Sequence, residues 1–189
     1  MKKLICALVL LFPFSGLNAL ELNNDSSVLN FVTVKNDIIA ELMTFKSLTG
    51  TVNEETGDAE LSVDLNSVAS GIDIRNSRMR EFLFDTGRFP AAIFTTSVKK
   101  AKLNDMVVGE QKSLELKGKL ALHGQAASLK FNVIVTKRKD NSYHVVTTSP
   151  TFINASSFDF GRGIDKLRNL AGLINIDLVV PVTFSVVFQ

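Results

Sequence analysis

From Ile174 to Phe188 every even-numbered position is apolar, while Asn175, Asp177, Thr183 and Ser185 fall between. Side chains that alternate with period two belong to a β-strand with one buried face. The same alternation recurs upstream. Ala59, Leu61, Val63 and Leu65 alternate with Glu60, Ser62, Asp64 and Asn66. Leu114, Leu116, Leu120 and Leu122 alternate with Ser113, Glu115, Lys117 and Lys119, and Ala127, Leu129, Phe131, Val133 and Val135 with Ser128, Lys130 and Asn132. Weaker strands are expected over 28–34, 38–48, 92–98 and 143–148. Turn residues separate them at Lys35-Asn36-Asp37, Glu55-Thr56-Gly57-Asp58, Asn104-Asp105, His123-Gly124 and Asp140-Asn141-Ser142. About eight antiparallel strands at this spacing predict a barrel or a sandwich. Pro181 has no N–H for a ladder, so it should mark a bulge, an edge or a break in the last strand.

Two stretches read as short helices instead. Met79, Phe82 and Leu83 have helical spacing within 76–86, with Asn76 or Ser77 as N-cap and Gly87 as the stop. Ile164, Leu167 and Ala171 share a face ended by Gly172. Two helices on a strand-rich chain are expected to plug or cover the ends of a barrel.

The first nineteen residues have the pattern of a cleaved secretion signal. Met1-Lys2-Lys3 is basic, Leu4 to Phe14 is apolar but shorter than the roughly 20 residues a bilayer requires, and Leu17-Asn18-Ala19 offers a small residue for cleavage. Cys6 lies at the start of the apolar run, too early for a lipidated cysteine. Lys2 and Lys3 account for the whole net charge of +2, and Cys6 is the one cysteine. The remaining domain, 20–189, is electrically balanced and free of thiols. It offers no basic footprint for nucleic acid, no disulfide and no thiolate chemistry.

Alternation does not say whether the apolar face looks inward. A membrane barrel turns it outward and carries Trp and Tyr girdles at both interfaces. This chain has no Trp, one Tyr (Tyr143) and 14 Phe, many of them within the strands and the first expected helix, which points to a greasy interior that does not span a membrane. Such an interior can be packed solid or left open for a guest, and periodicity alone leaves both alternatives standing.

The block Val68-Ala69-Ser70-Gly71-Ile72-Asp73-Ile74-Arg75-Asn76-Ser77-Arg78-Met79-Arg80-Glu81-Phe82-Leu83-Phe84-Asp85, followed by Gly87-Arg88-Phe89-Pro90-Ala91-Ala92-Ile93-Phe94, resembles the YceI family. Ser27-x-Leu29-x-Phe31, Leu120-x-Leu122-His123-Gly124 and Ser157-Phe158-Asp159-Phe160-Gly161 are similar to further elements of that family, in the same order. Arg75-Asn76-Ser77-Arg78 stands where the family commonly has Arg-Asp-x-His, and the family's opening Trp and the His before its first-strand Ser are missing, so the chain reads as a divergent branch. The resemblance implies an eight-stranded antiparallel, lipocalin-like β-barrel with two short helices, secreted to the periplasm. It also implies a long pocket for a polyisoprenoid or isoprenoid quinone, with no other cofactor.

On that basis Leu29, Phe31, Leu61, Val63, Phe94, Leu116, Leu129 and Phe131 are the candidate lumen residues. Arg75, Arg78, Arg80 and Arg88 are candidates for a rim that meets a polar head group. The plainer reading pairs Arg75 and Arg88 with Glu81 and Asp85. His123 and His144 read as turn and surface histidines without metal-ligand spacing. Gly161-Arg162-Gly163 lacks the Lys and Ser/Thr of a phosphate loop, no Gly-x-Ser-x-Gly elbow is present, and Glu54-Glu55 lies in a turn. The expected role is that of a carrier, not an enzyme. The alternative is a ligand-free stress or interaction module with a filled barrel. The sequence leaves monomer and dimer equally open.

Overall fold

The computed structural model describes residues 19–98, 103 and 105–189. The expected signal sequence as far as residue 18, Cys6 within it, and Asn104 of one expected turn lie outside these residues. In chain order the elements are β1 (Ala19–Glu21), β2 (Val28–Lys35), β3 (Ile39–Phe45), β4 (Leu48–Asn53), β5 (Asp58–Asp64) and β6 (Val68–Ala69). Then come α1 (Asp73–Arg78), a π-helical segment over Met79–Phe84, β7 (Ala91–Ser97), β8 (Gln111–Leu122) and β9 (Gln125–Lys137). They are followed by β10 (Tyr143–Thr147), β11 (Thr151–Asn154), α2 (Gly161–Ala171) and β12 (Val179–Phe188).

All strands join one antiparallel sheet, ordered β1-β4-β5-β7-β8-β9-β10-β12-β2-β3-β6, with β11 beside β12. β3 and β4 are two halves of one bent strand: the first pairs with β2 and the second with β5. The sheet therefore curls back onto its own starting strand and closes as a barrel. The side chain of Asn24 staples the bend, donating to the Lys46 carbonyl at 3.2 Å and accepting from the Leu48 N–H at 2.7 Å. β10 and β11 likewise follow β12 as one interrupted strand. Counting each bent pair once leaves eight barrel strands plus the short β1 and β6. The expected lipocalin-like barrel with two short helices is the one found, with the short β1 and β6 beyond the eight strands expected.

Local chemistry explains the turns. His123 and Gly124 (φ 53° and 74°) adopt the left-handed geometry that two-residue hairpins favour, and Asn36 and Asp37 (φ 52° and 63°) occupy the same region in the three-residue loop between Lys35 and Ile39. Boundaries differ where polar strands give no alternation. The expected 38–48 strand breaks after Phe45 and resumes as β4 through Thr49, Gly50, Thr51 and Asn53. The last strand begins at Val179, not Ile174, although Ile176 forms a single bridge to Lys35. Pro181 pairs only toward β11, at the point where the pairing of β12 with β2 ends, so it marks a break on that side.

The first helix also departs from expectation. It starts at Asp73 and is stopped by Asp85 in the left-handed conformation (φ 47°), not by Gly87. Asn76 lies within the helix, where its side chain accepts from the N–H and hydroxyl of Ser70. α2 runs from Gly161 to Ala171, starting about a turn before the expected Ile164 and taking in Gly161-Arg162-Gly163, and it stops at Gly172 as expected. A Cβ on Gly163 would come within 2.4 Å of the Phe82 carbonyl oxygen and 2.9 Å of the Leu83 Cα. That missing Cβ lets α2 lie directly on the π-helical segment, and the two together cover the barrel.

The apolar stripes point inward. Leu114, Leu120, Phe131, Val133, Phe184 and Val186 are buried. The outer face of β8 and β9 instead carries Glu115, which pairs with Lys117 at 3.0 Å and Lys130 at 3.3 Å. Among the described residues no helix is long and apolar enough to cross a membrane.

Candidate functional site

The barrel encloses a cavity of about 440 Å³, within the range of about 300–1,000 Å³ typical of small-molecule sites. Successive inward positions of neighbouring strands build its wall. Leu29 and Phe31 come from β2, Met43 and Phe45 from β3, Leu61 and Val63 from β5, Phe94 from β7 and Phe131 from β9. Met79, Leu83 and Phe84 of the π-helical segment and Ile164, Leu167 and Ala171 of α2 close it over. The rings of Phe31 and Phe45 stack with centroids 5.2 Å apart, and Phe84 meets Phe45 and Phe160, each at 5.8 Å.

Of the eight lumen residues expected from sequence, Leu29, Phe31, Leu61, Val63, Phe94 and Phe131 line this cavity. Leu116 lines a second, smaller chamber of about 70 Å³, which Leu61 and Phe94 also border. Leu129 lines neither; it is half-buried against the core.

Charge enters at one end. Arg75 donates from Nη1 to Glu41 Oε2 at 2.5 Å and from Nη2 to the Ser70 carbonyl at 2.6 Å. Lys35 Nζ reaches the same Glu41 oxygen at 3.0 Å. Burial pushes the Glu41 carboxyl upward, but the hydrogen bond and charge of Lys35 and the charge of Arg75 outweigh it and hold the group below its ordinary value. Arg75, Lys35 and Glu41 all line the cavity, and so do Arg78, Asp177 and Thr33. The Arg75 Nε is buried and has no hydrogen-bond partner among the described residues. A buried guanidinium donor left open beside an apolar cavity is a ready partner for an acceptor oxygen.

The four rim arginines part company. Arg75 and Arg78 stand at the mouth, with Arg78 reaching the Leu170 carbonyl on α2 at 3.5 Å. Arg80 turns away from the cavity, to Ser77 Oγ at 3.1 Å and the Asn66 carbonyl at 3.4 Å. Arg88 pairs with Asp85 at 3.2 Å and lies over the Phe89 ring, exposed to solvent. The plainer sequence reading is right for Arg88 but not for Arg75, whose carboxylate is Glu41 on β3, not Glu81.

Sequence reasoning missed Glu41 and Lys35. Their signal is parity: both sit at odd positions, in phase with Leu29, Phe31, Met43 and Phe45, so both are charges on an inward-facing stripe. The histidines are less superficial than expected. His123 donates from Nδ1 to the Phe158 carbonyl at 3.0 Å, between the rings of Phe89 and Phe160. His144 meets Ser185 Oγ at 2.7 Å, and burial, with the charge of Arg138 adding to it, pushes its ring below the ordinary histidine value. Among the described residues no three His, Cys, Asp or Glu side chains gather closely enough to hold a metal.

Known proteins give the same outline. No curated protein sequence matches the chain. A solved polyisoprenoid-binding domain from Saccharophagus degradans, described as implicated in plant cell wall breakdown, is 35% identical over 90% of this chain and 97% of its own, with a TM-score of 0.86. BcnA from Burkholderia cenocepacia is 19% identical over 89% of this chain and 99% of its own, with a TM-score of 0.64, and shares the fold. With the family model for the YceI-like domain matching residues 20–188, nearly all of the barrel described above, the chain belongs to the YceI-like family.

Proposed function

We propose that this protein is a periplasmic carrier that holds an isoprenoid-type lipid, a polyisoprenoid or an isoprenoid quinone, and performs no chemistry on it. The observation that carries the reading is an apolar cavity whose one charged end keeps a buried guanidinium donor unpaired. The tail lies among Leu, Val and Phe side chains, where each buried methylene contributes roughly 0.8 kcal/mol with no hydrogen bond required. The polar head rests at the mouth and accepts from Arg75, while Arg78 adds positive charge for a phosphate or a quinone oxygen. The Saccharophagus degradans domain, described as polyisoprenoid-binding, supports this ligand class. The basic and apolar start of the chain supports export. The charged outer face of β8 and β9 supports a protein that carries lipid without spanning a membrane.

The test is to purify the protein from the periplasm of cells that make isoprenoid lipids, extract it with organic solvent and identify the extract by mass spectrometry. A stoichiometric prenyl lipid is the expected result. A protein that comes out empty and takes up neither prenyl phosphates nor quinones would overturn the proposal, and would leave a barrel whose surface does the work.

A further inference from the structure

The two chambers share a wall. Leu61, Phe94 and Phe184 border both the cavity of about 440 Å³ and the chamber of about 70 Å³. The Phe131 ring stands between the two phenylalanines, 5.1 Å from Phe94 and 5.2 Å from Phe184, edge-on to each. Beyond this aromatic partition the smaller chamber is also apolar, lined by residues such as Leu114, Leu116, Val145, Val186 and Phe188. Leu20, Leu103 and Tyr143 line its far end, and the Tyr143 hydroxyl donates to the Leu103 carbonyl at 3.4 Å. The charged mouth lies at the opposite end of the larger cavity, so the two chambers run in series from Arg75 to Tyr143.

Gly118 makes the partition possible. A Cβ there would stand 2.5 Å from the Phe94 Cζ. The Phe94 ring therefore occupies the space that a side chain at position 118 would fill, with Leu61 and Leu120 as its direct cross-strand neighbours. A change of χ1 from one staggered position to another is the motion that would swing the ring out of the partition.

We propose that Phe94 and Phe184 form an internal gate and that the chamber behind it is a second subsite, which receives the distal isoprene units of a long tail. The inference rests on the carrier reading above and adds to it what limits tail length. A short tail stays in the outer cavity. A long tail displaces the Phe94 ring, joins the two chambers and extends toward Tyr143. The volume of the side chains at 94 and 184, and the free space beyond them, then decide how much of the tail is buried.

The experiment measures binding of geraniol, farnesol, geranylgeraniol and solanesol to the full domain, by competition and by thermal shift. Wild type, Phe94→Leu and Val145→Phe are compared. In the wild type, affinity is expected to rise with tail length past the point where the outer cavity is full. Phe94→Leu lowers the barrier and should strengthen the longest tail relative to geraniol by on the order of tenfold, the worth of roughly two more buried methylenes. Val145→Phe fills the inner chamber and should reverse the effect, weakening solanesol about tenfold more than geraniol by the same measure. If Phe94→Leu does not fold, Val145→Phe decides alone. A wild type that binds the probes with length preferences unmoved by the folded variants overturns the gate and leaves the carrier reading intact. A wild type that binds none of the four overturns both.

Discussion

Arg75 ties its own helix to β3 through Glu41, far off in sequence, and to the nearby turn at Ser70. Two of its donors are used and the Nε is not. Arg75→Lys keeps the charge but loses the fork and the open donor. Affinity for a prenyl alcohol should fall about tenfold, the worth of one buried hydrogen bond, while affinity for the matching hydrocarbon stays put; competition binding reads the difference. Glu41 makes the mouth sensitive to acid. Its carboxyl titrates lower in the folded protein than the value of about 4.3 expected of an unfolded chain, so its stabilising effect is complete above that pH and is lost as pH falls through the folded value. Glu41→Gln should lower the melting temperature at pH 7 by roughly 2–4 °C, about 1 kcal/mol for a domain of this size. It should also flatten the decline of melting temperature between pH 5 and 3, as followed by circular dichroism. Gly118 is constrained twice, by the Phe94 ring and by the Thr95 carbonyl oxygen, which would sit 2.2 Å from a Cβ. Gly118→Ala should destabilise by about 1–3 kcal/mol in denaturant titrations. Phe94→Ala should not rescue it, because the backbone contact remains.

At the scale of elements, alternation revealed every strand whose inward face is apolar along its length, such as β5, β8 and β9. It failed where polar residues take over, at β4, or where only a few residues pair, at β1 and β11, because no periodic contrast is left to detect. The first helix was legible as a helix but not in its limits. Its stop came from an aspartate in the left-handed region, which sequence reasoning assigned to the nearest glycine. The cover formed by α2 and the π-helical segment depends on backbone proximity at Gly163, and no periodicity reports a contact of that kind. Gly163→Ala should force the two helical segments apart. The expected result is faster amide exchange over 79–84 and 161–171, with protection of the β8–β9 ladder unchanged. Equal loss of protection in the ladder would show that cover and barrel are one cooperative unit.

For the whole molecule, the barrel and the inward turn of its apolar faces were legible, because lack of aromatic girdles and charge on the opposite face follow directly from residue order; the short strands β1 and β6 were not. Whether the interior was filled or open was not, since a packed Leu and a lining Leu obey the same alternation. Closure was equally hidden: it depends on the bend between β3 and β4 and on the side chain of Asn24, a residue that reads as an ordinary turn former. Asn24→Ala removes both hydrogen bonds at that seam. It should destabilise by about 1 kcal/mol, since the Leu48 N–H it opens is part-buried and the Lys46 carbonyl is exposed, with no change in the residues that line the cavity. Equilibrium unfolding would measure it.

The first and last described strands meet. Glu21 and Gln189 exchange backbone hydrogen bonds at 2.8 and 2.9 Å, Asn23 bonds to Val187, and Leu22 bridges Phe188, all beside the inner chamber and far from Arg75. Glu21 and Gln189 thus both lie at the base of the barrel. Fixed to a bead through a side chain introduced beside either residue, the barrel would turn its open, charged end outward.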